Sequence, residues 1–237
     1  MAITEHGAIH TTHEVTNQPP LLADYNLYDT DVGLREAVAR EQAGWAEDHI
    51  RAFGAKLGSA EFIEHGRLAN KFPPEFQTHD RFGQRIDEVE FHPSYHVLMA
   101  AGKKAEVHGL PWSTPQPGAF AARAALHYML DQTEAGVCCP LTMTFACIPT
   151  LRMQPDVAAE WEPRAVTPEY DPRNIPAPEK RGCTLGMALT DLVVGPEEHV
   201  TGGAMIRGQV DVKPFAPAET QGLELMRVGD LDVTLDL

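Results

Sequence analysis

Long apolar runs are missing from this sequence. None approaches the roughly 20 residues that span a bilayer, so an integral membrane protein is not expected. The stretch from Met1 to Thr12 holds His6 and His10 but no apolar core, so it is not a signal peptide of the usual design. Basic charge is also scarce. Lys and Arg total 19 against 34 Asp and Glu, a net charge of −15. A surface of that sign does not generally grip phosphate backbones, and nucleic acid is not expected as a partner. Cysteine is limited to Cys138, Cys139, Cys147 and Cys183, spaced neither as a disulfide framework nor as a CxxC zinc site. All four read as reduced, small and mostly buried thiols, which implies a cytoplasm-like compartment. The G-x-S-x-G elbow and the P-loop are absent as well. Gly202-Gly203 stands alone after His199, without the G-x-G-x-x-G spacing of a dinucleotide turn.

What is present suits a folded protein. The chain has 237 residues, 43% apolar and 22% charged, enough for one large domain or one domain plus a fragment. Residues 1–30 are polar and turn-rich and read as an extended arm. Its Leu21, Leu22, Tyr25, Leu27 and Tyr28 need apolar surface, either on their own domain or on a neighbouring subunit. Residues 31–154 read as a helical domain. Thr30 or Asp31 can cap its first helix, with Leu34, Val38 and Trp45 near one stripe and Gly44 weakening its continuity. Ser59 opens a helix to about Asn70, which Phe72-Pro73-Pro74 stops. Asp80 to Gly83 is a turn, and the pattern Ile86, Val89, Phe91 follows it. Pro93 suits the first position of a helix through Met99. Gly109 to Gly118, with three prolines, reads as a loop, and the alanine-rich run Ala119 to Ala135 as a helix ending at Gly136. Pro140 starts an apolar helix, and Pro149 either kinks it or begins the next short one. The segment 155–181 is so rich in proline that it reads as a linker without regular structure. Residues 182–237 are β-like: Cys183 to Thr190, Val193-Val194, His199 to Val212 and Leu223 to Leu235.

Chemistry-bearing residues are numerous without forming a signature. Among 11 histidines, His6, His10 and His13 have helix-like spacing but sit at a chain end and read as solvated. His92 and His96 are i, i+4, yet His92 is better used as the cap of the helix that Pro93 begins, and no third metal ligand is evident. Cys138-Cys139 lie near a helix start whose dipole could favour a thiolate, although filling space between helices is the plainer role. Glu47-Asp48, Asp87-Glu88 and Glu197-Glu198 read as solvated faces. No catalytic residue and no metal site is assigned.

Whole segments carry a resemblance. Asn17-Gln18-Pro19, Asn26-Leu27-Tyr28, Arg40 to Trp45, Gly66 to Asn70, Phe91-His92-Pro93 with His96, and Gly118 to Ala124 are the first of them. Glu134-Ala135-Gly136, Cys139 to Phe145, Lys180-Arg181-Gly182 and Gly186 to Thr190 complete the set. Over roughly residues 12–190 the chain resembles the acyl-CoA dehydrogenase family, and within it the branch of AidB-type adaptive-response flavoproteins. The resemblance implies a mainly α fold: an N-terminal acyl-CoA dehydrogenase-like helical domain followed by a short β-rich C-terminal segment, the start of an incomplete or diverged β domain. It implies FAD as cofactor, an acyl-CoA-like substrate, and assembly as a homo-oligomer or with a complementary chain. Met187, Ala188, Leu189 and Thr190 match the strand that lines the flavin in relatives, where backbone groups and the threonine hydroxyl meet the isoalloxazine edge. After Thr190 the pattern breaks. The family continues with Glu, paired glycines and Ser-Asp, whereas this chain continues Asp191-Leu192-Val193-Val194-Gly195-Pro196. The last 45 or so residues are either a diverged β domain or unrelated sequence. In relatives the carboxylate base that takes the α-proton belongs to a C-terminal bundle. The chain is therefore expected to be inactive alone, or to serve as a non-enzymatic module that packs on a separate flavin-binding chain.

Overall fold

In the computed structural model the backbone is described for residues 16–194, 197–207, 224–228 and 231–235, and side chains for residues 16–186. His6, His10 and His13 lie outside the described residues.

The arm docks where it can hydrogen-bond. Asp24 accepts from the Ala60 amide at 2.9 Å, and the Tyr25 amide donates to the Gly58 carbonyl. Asn26 then caps a one-turn helix, α1 (Leu27–Thr30), its Oδ1 accepting from the Tyr28 and Asp29 amides. The arm is thus not extended throughout. Leu27 and Tyr28 are buried in the chain's own core, while Leu21 and Leu22 stay exposed.

Asp31 caps α2 (Val32–Arg40), its Oδ1 accepting from the Leu34 amide at 2.8 Å. This helix ends before Trp45 because Gln42 adopts a φ of +62°, which no helix continues through. Val38 is buried, but Trp45 sits off the expected stripe, 42% exposed, with its indole donating to the Pro117 carbonyl. Next come α3 (Glu47–Leu57) and α4 (Ala60–Lys71), the latter capped by Ser59 and stopped ahead of Pro73-Pro74 as the sequence implied. An antiparallel hairpin of β1 (Glu75–His79) and β2 (Arg85–Glu90) follows around the Asp80 to Gly83 turn, an insertion in the helical domain that lies almost wholly in solvent. Pro93 opens α5 (Pro93–Lys104), with the His92 ring accepting from the Ser94 amide.

Three expectations need correction. The proline-rich stretch after Gly109 contains a short helix, α6 (Leu110–Ser113), since Pro111 lies in a first turn where its missing N–H costs nothing. After α7 (Ala119–Thr133), α8 runs Cys138–Leu151, beginning ahead of Pro140 and continuing through Pro149. Pro149 leaves the Phe145 carbonyl without its intrahelical donor, and the Trp112 indole supplies one at 3.0 Å. The supposed linker holds a regular helix, α9 (Pro155–Val166), with Pro155 in its first turn. Pro163 removes one bond there, to Ala159 on the exposed side. Proline counts in sequence do not reveal which turn of a helix each proline occupies.

Gly118 enters α7 with a φ of +80°, and a Cβ there would collide with the Gln42 carbonyl, so only glycine fits. The helices enclose a main core that includes Ile50, Leu57, Leu98, Met99, Leu126, Met129, Leu130 and Leu141. A second, smaller core lies where α8 and α9 meet the chain entering the β segment: Cys147, Ile148, Leu151, Trp161, Ala165, Ala177, Cys183 and Leu185. From there β3 (Thr184–Val194) pairs antiparallel with β4 (Glu197–Arg207), and β5 (Glu224–Val228) with β6 (Leu231–Leu235). Among the described residues no helix is long and apolar enough to cross a membrane.

Candidate functional site

The chain enters β3 through a junction of buried polar side chains. Lys103 continues the buried Leu98–Met99 side of α5 by one turn and is fully buried, while the adjacent Lys104 is exposed. Its Nζ donates to the Ala165 carbonyl at 2.9 Å and to the Cys183 carbonyl at 3.3 Å. Burial lowers the Lys103 pKa to about 7, opposed by a smaller effect from the Cys183 thiol. His108, also buried, places Nε2 3.3 Å from the Val166 carbonyl and 3.0 Å from the Thr167 carbonyl. Two carbonyl partners require the proton on Nε2, which leaves Nδ1 as a buried acceptor without a partner. Burial, reinforced by the Lys103 charge, pushes the His108 pKa down to about 3.

These contacts converge on one helix end. The last carbonyls of a helix lack intrahelical donors and carry its negative pole. At α9 the Arg164 carbonyl accepts from the Cys183 amide at 3.0 Å, and the next three carbonyls are met by Lys103 and His108. The helix end, the last turn of α5 and the start of β3 are therefore tied into one unit.

Thr144 on α8 adds the final tie. Its hydroxyl donates to the Pro140 carbonyl at 2.7 Å and accepts from the Leu185 amide at 2.9 Å. That bond has a consequence for the strand. Backbone groups in an antiparallel ladder alternate between facing the partner strand and facing away. Since the Leu185 amide faces Thr144, the ladder places the backbone groups of Met187 and Leu189 on the same outer edge. Those of Ala188 and Thr190 then turn toward β4, where their cross-strand neighbours are Gly203 and Thr201. Among the described residues β3 pairs only with β4, so this outer edge carries no second strand. The four residues singled out from sequence thus share one strand, with Met187 and Leu189 on the edge that faces away from β4.

The other candidates separate. His92 caps α5 and stacks on Phe72 with centroids 5.0 Å apart, whereas His96 bonds the Tyr170 hydroxyl at 2.8 Å. Burial lowers the His96 pKa and raises that of Tyr170. The i, i+4 pair does not converge, and among the described residues no cluster of three His, Cys, Asp or Glu suits a metal. Cys138 is buried, and burial raises its pKa to about 12 with the Asp131 and Glu134 charges adding to it. At Cys138 burial works against the thiolate, and the Glu134 carboxylate just ahead of α8 adds to it. That carboxylate accepts from the Gly136 and Val137 amides, each at 2.7 Å. Cys147 and Cys183 are buried and Cys139 exposed, all unbridged. Glu47 is not merely solvated: it pairs with Arg51 at 2.7 Å and accepts from the Tyr28 hydroxyl. The side chains of Glu197 and Glu198 lie outside the described residues.

Lys103, His108 and Thr144 escaped the sequence reading. Position alone hinted at one of them, since Lys103 lies four residues past Met99 on an apolar helix and so falls on its buried side.

Comparison with known proteins agrees with this architecture. A family model described as the adaptive response protein AidB N-terminal domain matches residues 17–172. The chain is 46% identical over 182 residues to AidB of Escherichia coli (strain K12), a protein named as an acyl-CoA dehydrogenase; the match covers 76% of this chain and 34% of that one. Among solved structures, Caenorhabditis elegans ACDH-11 in complex with C11-CoA superposes with a TM-score of 0.60 at 18% identity, over 82% of this chain and 33% of that one. The apo form of Bd2924 gives a TM-score of 0.60 at 17% identity, over 73% and 34%. At those identities the structural likeness concerns the fold. The chain spans about a third of the length of the relatives it matches.

Proposed function

Because the chain belongs to the AidB N-terminal domain family, we propose that it is the N-terminal portion of an acyl-CoA dehydrogenase-like, FAD-dependent oxidoreductase and is inactive by itself. The observation that carries this reading is the outer edge of β3. FAD presents a flat ring system with hydrogen-bonding groups along one side, and the edge of β3 facing away from β4, which no other strand covers among the described residues, would offer main-chain donors and acceptors at Met187 and Leu189. The donor set therefore fits the cofactor, with Met187, Ala188, Leu189 and Thr190 as the residues that would hold it. When bound, FAD supplies the acceptor for a hydride leaving the acyl chain. This chain's own residues orient the strand and shield its start from water: Leu185, the second residue of β3, is buried, and Lys103 and Thr144 fix the strand's departure. No carboxylate of the chain is assigned as the base. An acyl-CoA-like thioester is the proposed substrate of the complete enzyme, and the unbridged cysteines fit a cytoplasmic location.

A second reading, a non-enzymatic module that packs on another copy or on a separate flavin-binding chain, has its own observation. Leu21 and Leu22 are 79% and 68% exposed, and Phe76, Phe82 and Val89 of the hairpin are also uncovered. Titration of the purified chain with FAD, followed by flavin fluorescence, and an acyl-CoA turnover assay test both. Flavin binding without turnover is the expected outcome. Turnover of a thioester by the isolated chain defeats the claim of inactivity. A colourless chain that gains stability only with a partner favours the module.

A further inference from the structure

We propose that Lys103 is a positioning residue: by bonding the Ala165 and Cys183 carbonyls together it sets where the chain leaves the helices, and so where Met187 to Thr190 run. The purpose assigned to that position rests on the flavin reading above, but the mechanics concern this chain alone.

Three observations converge. Lys103 is fully buried, and its two acceptors lie 62 and 80 residues away in sequence, on the end of α9 and at the residue before β3. A lone lysine in a core needs compensation for lost hydration, and a purely apolar side chain would pack there at less cost. Its presence in the core is explained by joining two carbonyls that no backbone donor among the described residues reaches. Second, Thr144 holds the Leu185 amide two residues further along, so the strand is fixed at successive points before the flavin-facing stretch begins. Third, the donor count matches the neutral amine. Two N–H groups meet two carbonyls, whereas the ammonium brings a third N–H for which no acceptor lies among the described residues. Protonation therefore leaves a buried donor unpaired and loosens the junction.

Around that charge only the Cys183 thiol opposes the burial penalty, and by less than burial imposes. The groups around Lys103 and Cys183 are His108 from the segment after α5, Arg164 on α9, and Lys180 ahead of β3. None of the charged groups acting on Lys103 is a carboxylate. The amine pKa near 7 places the change within ordinary working conditions.

Residue-resolved amide hydrogen exchange on the 237-residue chain, without flavin, tests the proposal. In Lys103→Met, exchange at Leu185 and the strand that follows is expected to rise about tenfold or more while α7 keeps its protection, as local opening requires. Unchanged protection at Leu185, or an equal rise in α7 and β3, overturns it. The wild-type chain provides a second measurement that does not depend on the variant folding. After correction for intrinsic rates, Leu185 opening between about pH 5.5 and 8.5 should be level below about 7 and fall progressively above it, a break in slope near 7. A flat profile overturns the proposal. The flavin titration is read separately: if FAD does not bind but Lys103→Met frees the strand, the cofactor reading fails and the positioning role stands.

Discussion

The two cores of this molecule are built by different means. The main core is apolar side chain against apolar side chain, assembled from helices whose burial follows local periodicity. The junction core is smaller and has Lys103, His108 and Thr144 at its boundary, all buried and all bonded to backbone groups far away in sequence. The first is robust because its contacts are many and undirected. The second depends on a few directed bonds, each expensive to break singly because its buried partner is left unpaired.

The largest expected effect lies in the main core. Leu126 is fully buried, and Leu126→Ala should cost about 2–5 kcal/mol in urea unfolding, from lost transfer energy and the cavity left behind. It should lower the stability of every helix together. An effect confined to α7 would show that the main core is not one cooperative unit.

Glu134→Ala comes next. The variant strips two amides at the start of α8 and the Asn70 contact at 3.3 Å, a loss of about 1–3 kcal/mol. Because α8 lines both cores, calorimetry should show both weakened. Thr144→Val keeps the volume and removes the acceptor of the Leu185 amide, for about 1–2 kcal/mol. Its signature should be local: faster exchange at Leu185 with little change in α3 or α7. Equal losses in both cores would mean that the two are not held together by different means.

The pH dependence separates the cores without mutation. The Lys103 pKa is about 7 in the fold against 10.5 for a free lysine. Between those values the unfolded chain binds more protons, so stability rises with pH across that window. The burial penalty is absent above the unfolded value and complete once pH falls below about 7. The slope between pH 7 and 10.5 should shrink in Lys103→Met, as read by urea midpoints. The smallest effect is expected at the hairpin. Phe82 is 71% exposed, and Phe82→Ser should change stability by about 0.5 kcal/mol or less. A larger loss would mean that the hairpin is covered in solution.

Legibility in sequence divides along the same line. The Ser59 cap, the Phe72-Pro73-Pro74 stop, Pro93 behind His92, and the alanine-rich α7 were readable because each signal acts within one turn of its own helix. The strand residues Met187 to Thr190 were reachable only through family resemblance, since nothing in their spacing marks a site. Misreadings arose where a distant group repairs a local defect. Pro149 continues α8 because Trp112, 37 positions earlier, donates to the orphaned Phe145 carbonyl. Prolines 155 and 163 suggested a linker, yet α9 forms there because it buries Trp161 and Ala165 and has its end capped by Lys103 and His108.

By itself the amino-acid sequence determined the family, the helical character and several helix starts and stops, since those depend on interactions a few residues apart. Only the tertiary structure decided which lysine is buried, which carbonyls it joins, and which edge of β3 pairs with β4. Those outcomes depend on where separate elements come to rest against one another, and a directed bond between residues 62 or 80 positions apart leaves no periodic trace along the chain.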